Sequence, residues 1–219
     1  VFAGDYDDPG YNDLETRGYS LTIKHDFDNV SFTSITDFST VERKYIEDSD
    51  ASPAPVFNFY LNTDAEQLSQ EFRLNGEGES MKWVVGVYYM DLDIKDSNGA
   101  ITDPFVGPAA TPGAEAGLSN PYTSDLQSTS VFGQIEYALS DTLNLVIGAR
   151  AIKDEKDFDY AINIVEFLDP EARNFDSSTN MNNLATLATY SGSSDDTEVS
   201  ARLSLDWLPN ENSLYYVSW

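Results

Sequence analysis

Gln70-Glu71-Phe72-Arg73-Leu74, a loose connection Asn75-Gly76-Glu77-Gly78-Glu79, then Trp83-Val84-Val85-Gly86-Val87-Tyr88-Tyr89: this stretch decides the fold. From Glu66 to Leu74, Leu68, Phe72 and Leu74 share one parity while Ser69, Glu71 and Arg73 take the other. Trp83, Val85, Val87 and Tyr89 answer in Lys82 to Ile94. Spacing of two is the period of a pleated strand with one apolar and one polar face. Two such runs joined by a few Gly, Asn and Glu residues make an antiparallel hairpin.

The pattern repeats along the chain. Tyr19, Leu21, Ile23 and Phe27 alternate with Ser20, Thr22, Lys24 and Asp26, and Asp28-Asn29 offers a two-residue turn, since Asx side chains tolerate positive φ. Val30 to Val41 returns. Thr129 to Leu139 and Leu143 to Asp157 meet at Ser140-Asp141-Thr142; Thr197 to Leu208 turns at Pro209-Asn210-Glu211-Asn212 into Leu214 to Trp219. About eight strands result. Short turns alternate with long polar stretches at 45–64, 96–125 and 159–194, all opening on the same side. One-sided loops and alternating strands of about ten residues are what a transmembrane β-barrel requires, with short turns at one interface and long external loops at the other. The predicted class is therefore all-β, an antiparallel up-and-down transmembrane barrel, with 1–219 one part of a single barrel domain. Outer-membrane lipid is the expected neighbour. Its lipid face would carry Leu21, Val85, Val87, Leu145, Ile147 and Leu203.

Composition agrees. The 219 residues carry 12 Lys+Arg against 38 Asp+Glu, a net charge of −26, which is unsuited to nucleic acid because phosphate binding needs clustered cations. Zero Cys and a single His, His25, exclude thiolate chemistry and Cys- or His-rich metal centres. No motif suggests catalysis: the many carboxylates come without a pocket-forming signature, so no catalytic residue is assigned and no enzyme is expected.

Phe27, Phe32, Phe72, Trp83, Tyr137 and Trp207 lie within a few residues of the short turns, on the apolar parity of their strands, as an interfacial aromatic belt would. On the other parity, Glu71 with Arg73, Gln134, Glu136, and Arg202 with Asp206 would line the lumen near those turns. Among loop aromatics, Phe57, Tyr60, Phe105, Tyr122, Phe175 and Tyr190 are candidates for ligand contact. Asp5, Asp7, Asp8 and Asp13 begin like a calcium loop, but Pro9 takes a ligand position and Thr16 stands where the bidentate Glu belongs, so a solvated acidic loop fits better and no cofactor is expected. The net negative charge would suit a cation, a neutral glycan or a metal-loaded chelate better than a free anion.

The hairpin quoted at the outset resembles barrel strands of TonB-dependent outer-membrane receptors. So do Ser130-Val131-Phe132-Gly133-Gln134-Ile135-Glu136-Tyr137, Asp141-Thr142-Leu143-Asn144-Leu145, Gly148-Ala149-Arg150 and Ala201-Arg202-Leu203-Ser204-Leu205-Asp206-Trp207. Ala151 departs from the aromatic common after the Gly-x-Arg. The resemblance implies a barrel of about 22 strands in the bacterial outer membrane, plugged by an N-terminal domain. It further implies energy-coupled uptake of a scarce ligand, such as a siderophore, vitamin or oligosaccharide, through the inner-membrane partner TonB. Neither plug nor coupling box is visible in these residues, so the chain is expected to be an internal piece of a larger barrel. A small complete barrel or passive porin is the alternative, and a secreted glycan-binding β-sandwich the second.

Overall fold

A computed structural model describes residues 6–102, 107–169 and 180–219. Eight strands form one antiparallel sheet in chain order, β1 (Tyr11–Phe27), β2 (Val30–Asp48), β3 (Asn58–Glu77), β4 (Met81–Ile101), β5 (Glu115–Ser140), β6 (Leu143–Phe167), β7 (Met181–Asn210) and β8 (Ser213–Ser218). Each strand pairs with its sequence neighbour, and the sheet is open, with β1 and β8 at its edges.

Register carries the expected parity across the whole sheet, because directly opposed residues share a face. The row Phe27–Val30–Gly76–Trp83–Ile135–Ile147–Leu203 runs through the first seven strands, and Trp219 extends it through paired backbone hydrogen bonds with Leu203. Tyr19, Leu21, Leu74, Val85, Val87, Leu145 and Leu205 lie on the same face. On β1 the apolar run lies at and above that row; on β5 to β7 it continues below it, through Tyr137, Leu145, Leu205 and Trp207. The band therefore crosses the rows obliquely, as it must when strands are tilted to the membrane normal.

The opposite face is polar, and the sheet curls toward it. Ser130 and Ser204 there are 1% exposed, whereas Val131 and Leu203 beside them are 53% and 47% exposed. A soluble protein would bury the second pair, not the first. Two glycines make room for rings on opposite faces. A Cβ on Gly76 would stand 2.8 Å from the Trp83 indole, and one on Gly86 would stand 2.4 Å from the Phe132 ring. Asp28 takes φ 45° in the β1–β2 turn, where an Asx residue was expected.

The strands run far past the expected ends. Residues 45–48 and 58–64 are paired strand, as are 96–101 with 115–125 and 159–167 with 181–194, so the connections narrow to 49–57, 102–114 and 168–180. The physical reason is that apolar alternation marks a strand only where one face meets lipid; above the bilayer both faces are polar while the ladder continues. At the far end, Ile46, Tyr60, Ile101, Val165, Phe167 and Met181 form a small core with Tyr11 packed against it, beside register shifts in β6–β7 at Ile162 to Val165.

Val85→Arg and Val84→Arg separate the two faces. The first should destabilise the folded receptor by about 2 to 4 kcal/mol and the second by far less, measured as the shift in denaturant midpoint for the receptor refolded in lipid vesicles.

Candidate functional site

Above the apolar band, the polar face carries one row across six strands: Arg43, Thr63, Asp96, Tyr122, Tyr160 and Tyr190. On β4 the last apolar-face aromatic is Tyr89, seven residues before Asp96, so the row stands outside the lipid span. It lines a cavity of about 870 Å³ open on one side. Strand alternation places Phe158 on the same face, one row below. Its ring centroid lies 5.8 Å from Tyr122, 6.4 Å from Tyr160, with the planes 8° apart, and 6.3 Å from Tyr190. Three tyrosines thus line the cavity, with the Phe158 ring packed against them.

Asp96 sits at the centre, 9% exposed. Thr63 Oγ1 donates to its Oδ2 at 2.6 Å, the phenol of Tyr122 lies beside the carboxylate, and Oδ1 has no hydrogen-bond partner. Burial pushes the Asp96 carboxyl above the usual carboxylate range, opposed by Thr63, Tyr122 and Arg43. The Tyr122 phenol is raised by burial and then by the Asp96 charge. Arg43, the cation of the row, is committed elsewhere: its Nε donates to Asn12 Oδ1 at 3.0 Å, and its guanidinium lies 5.0 Å from the Tyr45 ring centre. Chemically this is an acceptor oxygen in an aromatic, half-enclosed cup.

Of the expected loop contacts, Tyr122 and Tyr190 line this cavity. Tyr60 does not: it is fully buried, edge-on to Phe167 at 5.6 Å, because its long strand carries it into the distal core. Phe57 is half-buried in the β2–β3 connection, where its N–H donates to Asp50 Oδ2 at 2.8 Å. Phe105 and Phe175 lie outside the described residues. Arg43, Thr63, Asp96, Phe158 and Tyr160 were not singled out from sequence. They fall at strand ends and in stretches without apolar alternation, and only the cross-strand register aligns them.

The proposed lumen residues Glu71, Arg73, Gln134, Glu136, Arg202 and Asp206 all share the polar face. Arg73 Nε and Glu71 Oε1 pair at 2.7 Å, two residues apart on one strand. Arg202 and Asp206 do not pair, since four residues of extended chain separate them by about 13 Å; Asp206 accepts instead from Ser204 at 2.5 Å. Register adds a cation the sequence reading passed over. Arg150, whose Nη2 donates to Ser130 Oγ at 3.1 Å, stands in one row with Arg73 and Lys24. Cations thus gather at the short-turn end of this face and thin out toward the cavity.

All six belt aromatics lie on the apolar face. Phe32 stacks on Phe72 at 6.2 Å, and Trp207 lies 5.4 Å from Tyr215. Asp7, Asp8 and Asp13 of the calcium-like stretch do not converge. Asp5 is outside the described residues, Asp8 accepts from the Gly10 N–H at 2.7 Å, and Asp13 opposes Lys44 on the β1–β2 ladder. Asp7 instead meets Asp48 and Asp50, with ligand oxygens within 4.8 Å of one another, because β1 and the end of β2 run side by side.

One further carboxylate fixes the rim. Glu166, near the end of β6, accepts from the N–H groups of Ala110 and Thr111 at 3.0 and 2.9 Å, from Thr111 Oγ1 at 2.7 Å and from Asn182 Nδ2 at 3.0 Å. These donors hold its pKa at about 2. A depressed carboxylate contributes its stabilisation above the ordinary value near 4.5 and loses it as pH falls toward 2. The protection of the Ala110 and Thr111 amides against hydrogen exchange should therefore hold from neutral pH to about 4.5 and collapse toward 2. In Glu166→Leu it should be absent throughout.

A family model described as "TonB dependent receptor-like, beta-barrel" matches residues 2–219. No curated protein sequence matches the chain significantly. Among solved structures, the sheet is similar to the ferric yersiniabactin uptake receptor FyuA from Yersinia pestis, with TM-score 0.73 and 16% identity over 95% of this chain and 28% of that one. The siderophore receptor PiuA from Acinetobacter baumannii gives TM-score 0.67 and 16% identity over 97% of this chain and 33% of that one. The open form of the ferric-catecholate import receptor Fiu from E. coli K12 gives 0.65 and 14% over 98% and 36%. The chain thus spans about a third of the receptors it resembles.

Proposed function

The chain belongs to the TonB-dependent receptor family, within its β-barrel domain, and from this premise we infer that it forms part of the wall of an outer-membrane receptor that takes up a siderophore. TonB-dependent receptor barrels are bacterial outer-membrane proteins, and the exposed apolar face with its aromatic belt is built for that setting. The family and the structural neighbours are transport receptors rather than enzymes.

The observation that carries the reading is the division of the polar face. Its short-turn end holds Arg73, Glu71, Arg150 and Arg202, which suit charge-assisted hydrogen bonds to a plug domain. Its far end holds the aromatic cup around Asp96, which suits ligand capture. That the chain spans 28 to 36% of the receptors it resembles supports a wall with more strands than these eight. Plug and TonB are the partners this architecture calls for.

Growth under iron starvation with a ferric siderophore as sole iron source should require the gene and should stop when the inner-membrane proton gradient is collapsed. A passive porin would admit the same ligand with the gradient gone, and that result would overturn the reading.

A further inference from the structure

We propose that the cup around Asp96 selects a neutral or cationic ferric chelate that presents an ammonium or hydroxyl donor, and that it discriminates against anionic chelates. The inference rests on the siderophore reading above and narrows it.

Among the described residues, the buried side-chain oxygens without a hydrogen-bond partner are Asn58 Oδ1, Asn62 Oδ1, Thr102 Oγ1 and Asp96 Oδ1, and Asp96 is the carboxylate among them. A buried carboxylate oxygen left unpaired is costly, so a ligand donor arriving there recovers the missing interaction. Little on this face would offset an arriving anion: Lys44 and Lys95 border the cavity, but strand alternation sets both on the opposite face of the sheet, which leaves Arg43 as the cation of the row. Arg43 is held by Asn12 and lies against Tyr45. The polar-face row below the cup consists of Val41, Ala65, Ile94, Ser124, Phe158 and Gly192, all neutral. The next cation down β6 on this face is Lys156, four residues from Tyr160 and about 13 Å away. The tyrosines Tyr122, Tyr160 and Tyr190 that line the cavity offer π-systems that attract cations and the apolar spacers of a chelate, and carry no charge to hold an anion. Iron(III) bound by three hydroxamates is a neutral complex, and a pendant ammonium makes it a cation. Iron(III) bound by three catecholates is a trianion, which in a partly desolvated cup would face the Asp96 carboxylate at low effective dielectric.

The test uses the full-length receptor in detergent, titrated by intrinsic fluorescence with two probes: the iron(III) complex of desferrioxamine B, which carries a free ammonium, and the tris-catecholate iron(III) complex of enterobactin. The hydroxamate complex should bind about tenfold tighter or better, and Asp96→Asn should weaken it about tenfold while leaving the catecholate complex unweakened. Tighter binding of the catecholate complex overturns the proposal and leaves the siderophore reading intact. Binding of neither, together with loss of the iron-starvation phenotype, overturns both. Equal hydroxamate affinity in Asp96→Asn and the unmodified receptor overturns the role of Asp96. The preference between the two probes is read on the unmodified receptor, so it decides the charge selection even if the variant does not fold.

Discussion

The unbroken antiparallel ladder is the constraint on which everything else depends. In lipid no water can satisfy a backbone N–H or C=O, so strands must pair along their full crossing length. Pairing in strict register then fixes the face of every side chain, because a slip by one residue would turn each strand inside out. Leu21, Val85, Val131, Ile147 and Leu203 come to one face in this way although they lie far apart in the chain. Once that face is given to lipid, the other face must hold whatever chemistry the lumen has.

Membrane immersion inverts the usual rule for burial. Here the large apolar residues are the exposed ones and the small polar residues, Ser128, Ser130 and Ser204, are the buried ones. The energetic support comes from hydrogen-bonded ladders and from transfer of the apolar face into hydrocarbon, not from a central core. Among the described residues the compact apolar cluster, around Tyr60 and Phe167, sits beyond the bilayer, where water restores the ordinary hydrophobic effect. The Glu166 carboxylate, next to Phe167 of that cluster, ties down the β4–β5 connection through three hydrogen bonds and accepts a fourth from Asn182 on β7.

Charge is distributed along the strands to match these zones. On the polar face, Lys24, Arg73, Arg150 and Arg202 lie toward the short turns, while the cation of the cup's own row is Arg43, held by Asn12. In a molecule of net charge −26, the polar face thus carries these four cations near its short turns, while the cavity row carries tyrosines and a carboxylate oxygen without a hydrogen-bond partner.

Sequence alone determined the strands, the short turns, the apolar face and the family, because period two is a local property that lipid on one side and a polar lumen on the other write into every strand. It determined Glu71–Arg73 for the same reason, two residues on one strand and one face. Tertiary structure alone decided where the ladders end, since above the bilayer water lies on both faces and the period carries no signal. It decided that Tyr60 is core, that Asp7 meets Asp48 and Asp50, and that Arg202 and Asp206 stand apart. The row from Arg43 to Tyr190 was equally illegible, because its members come from six strands and share nothing in sequence; only cross-strand register, summed over five pairings, brings them to one cup.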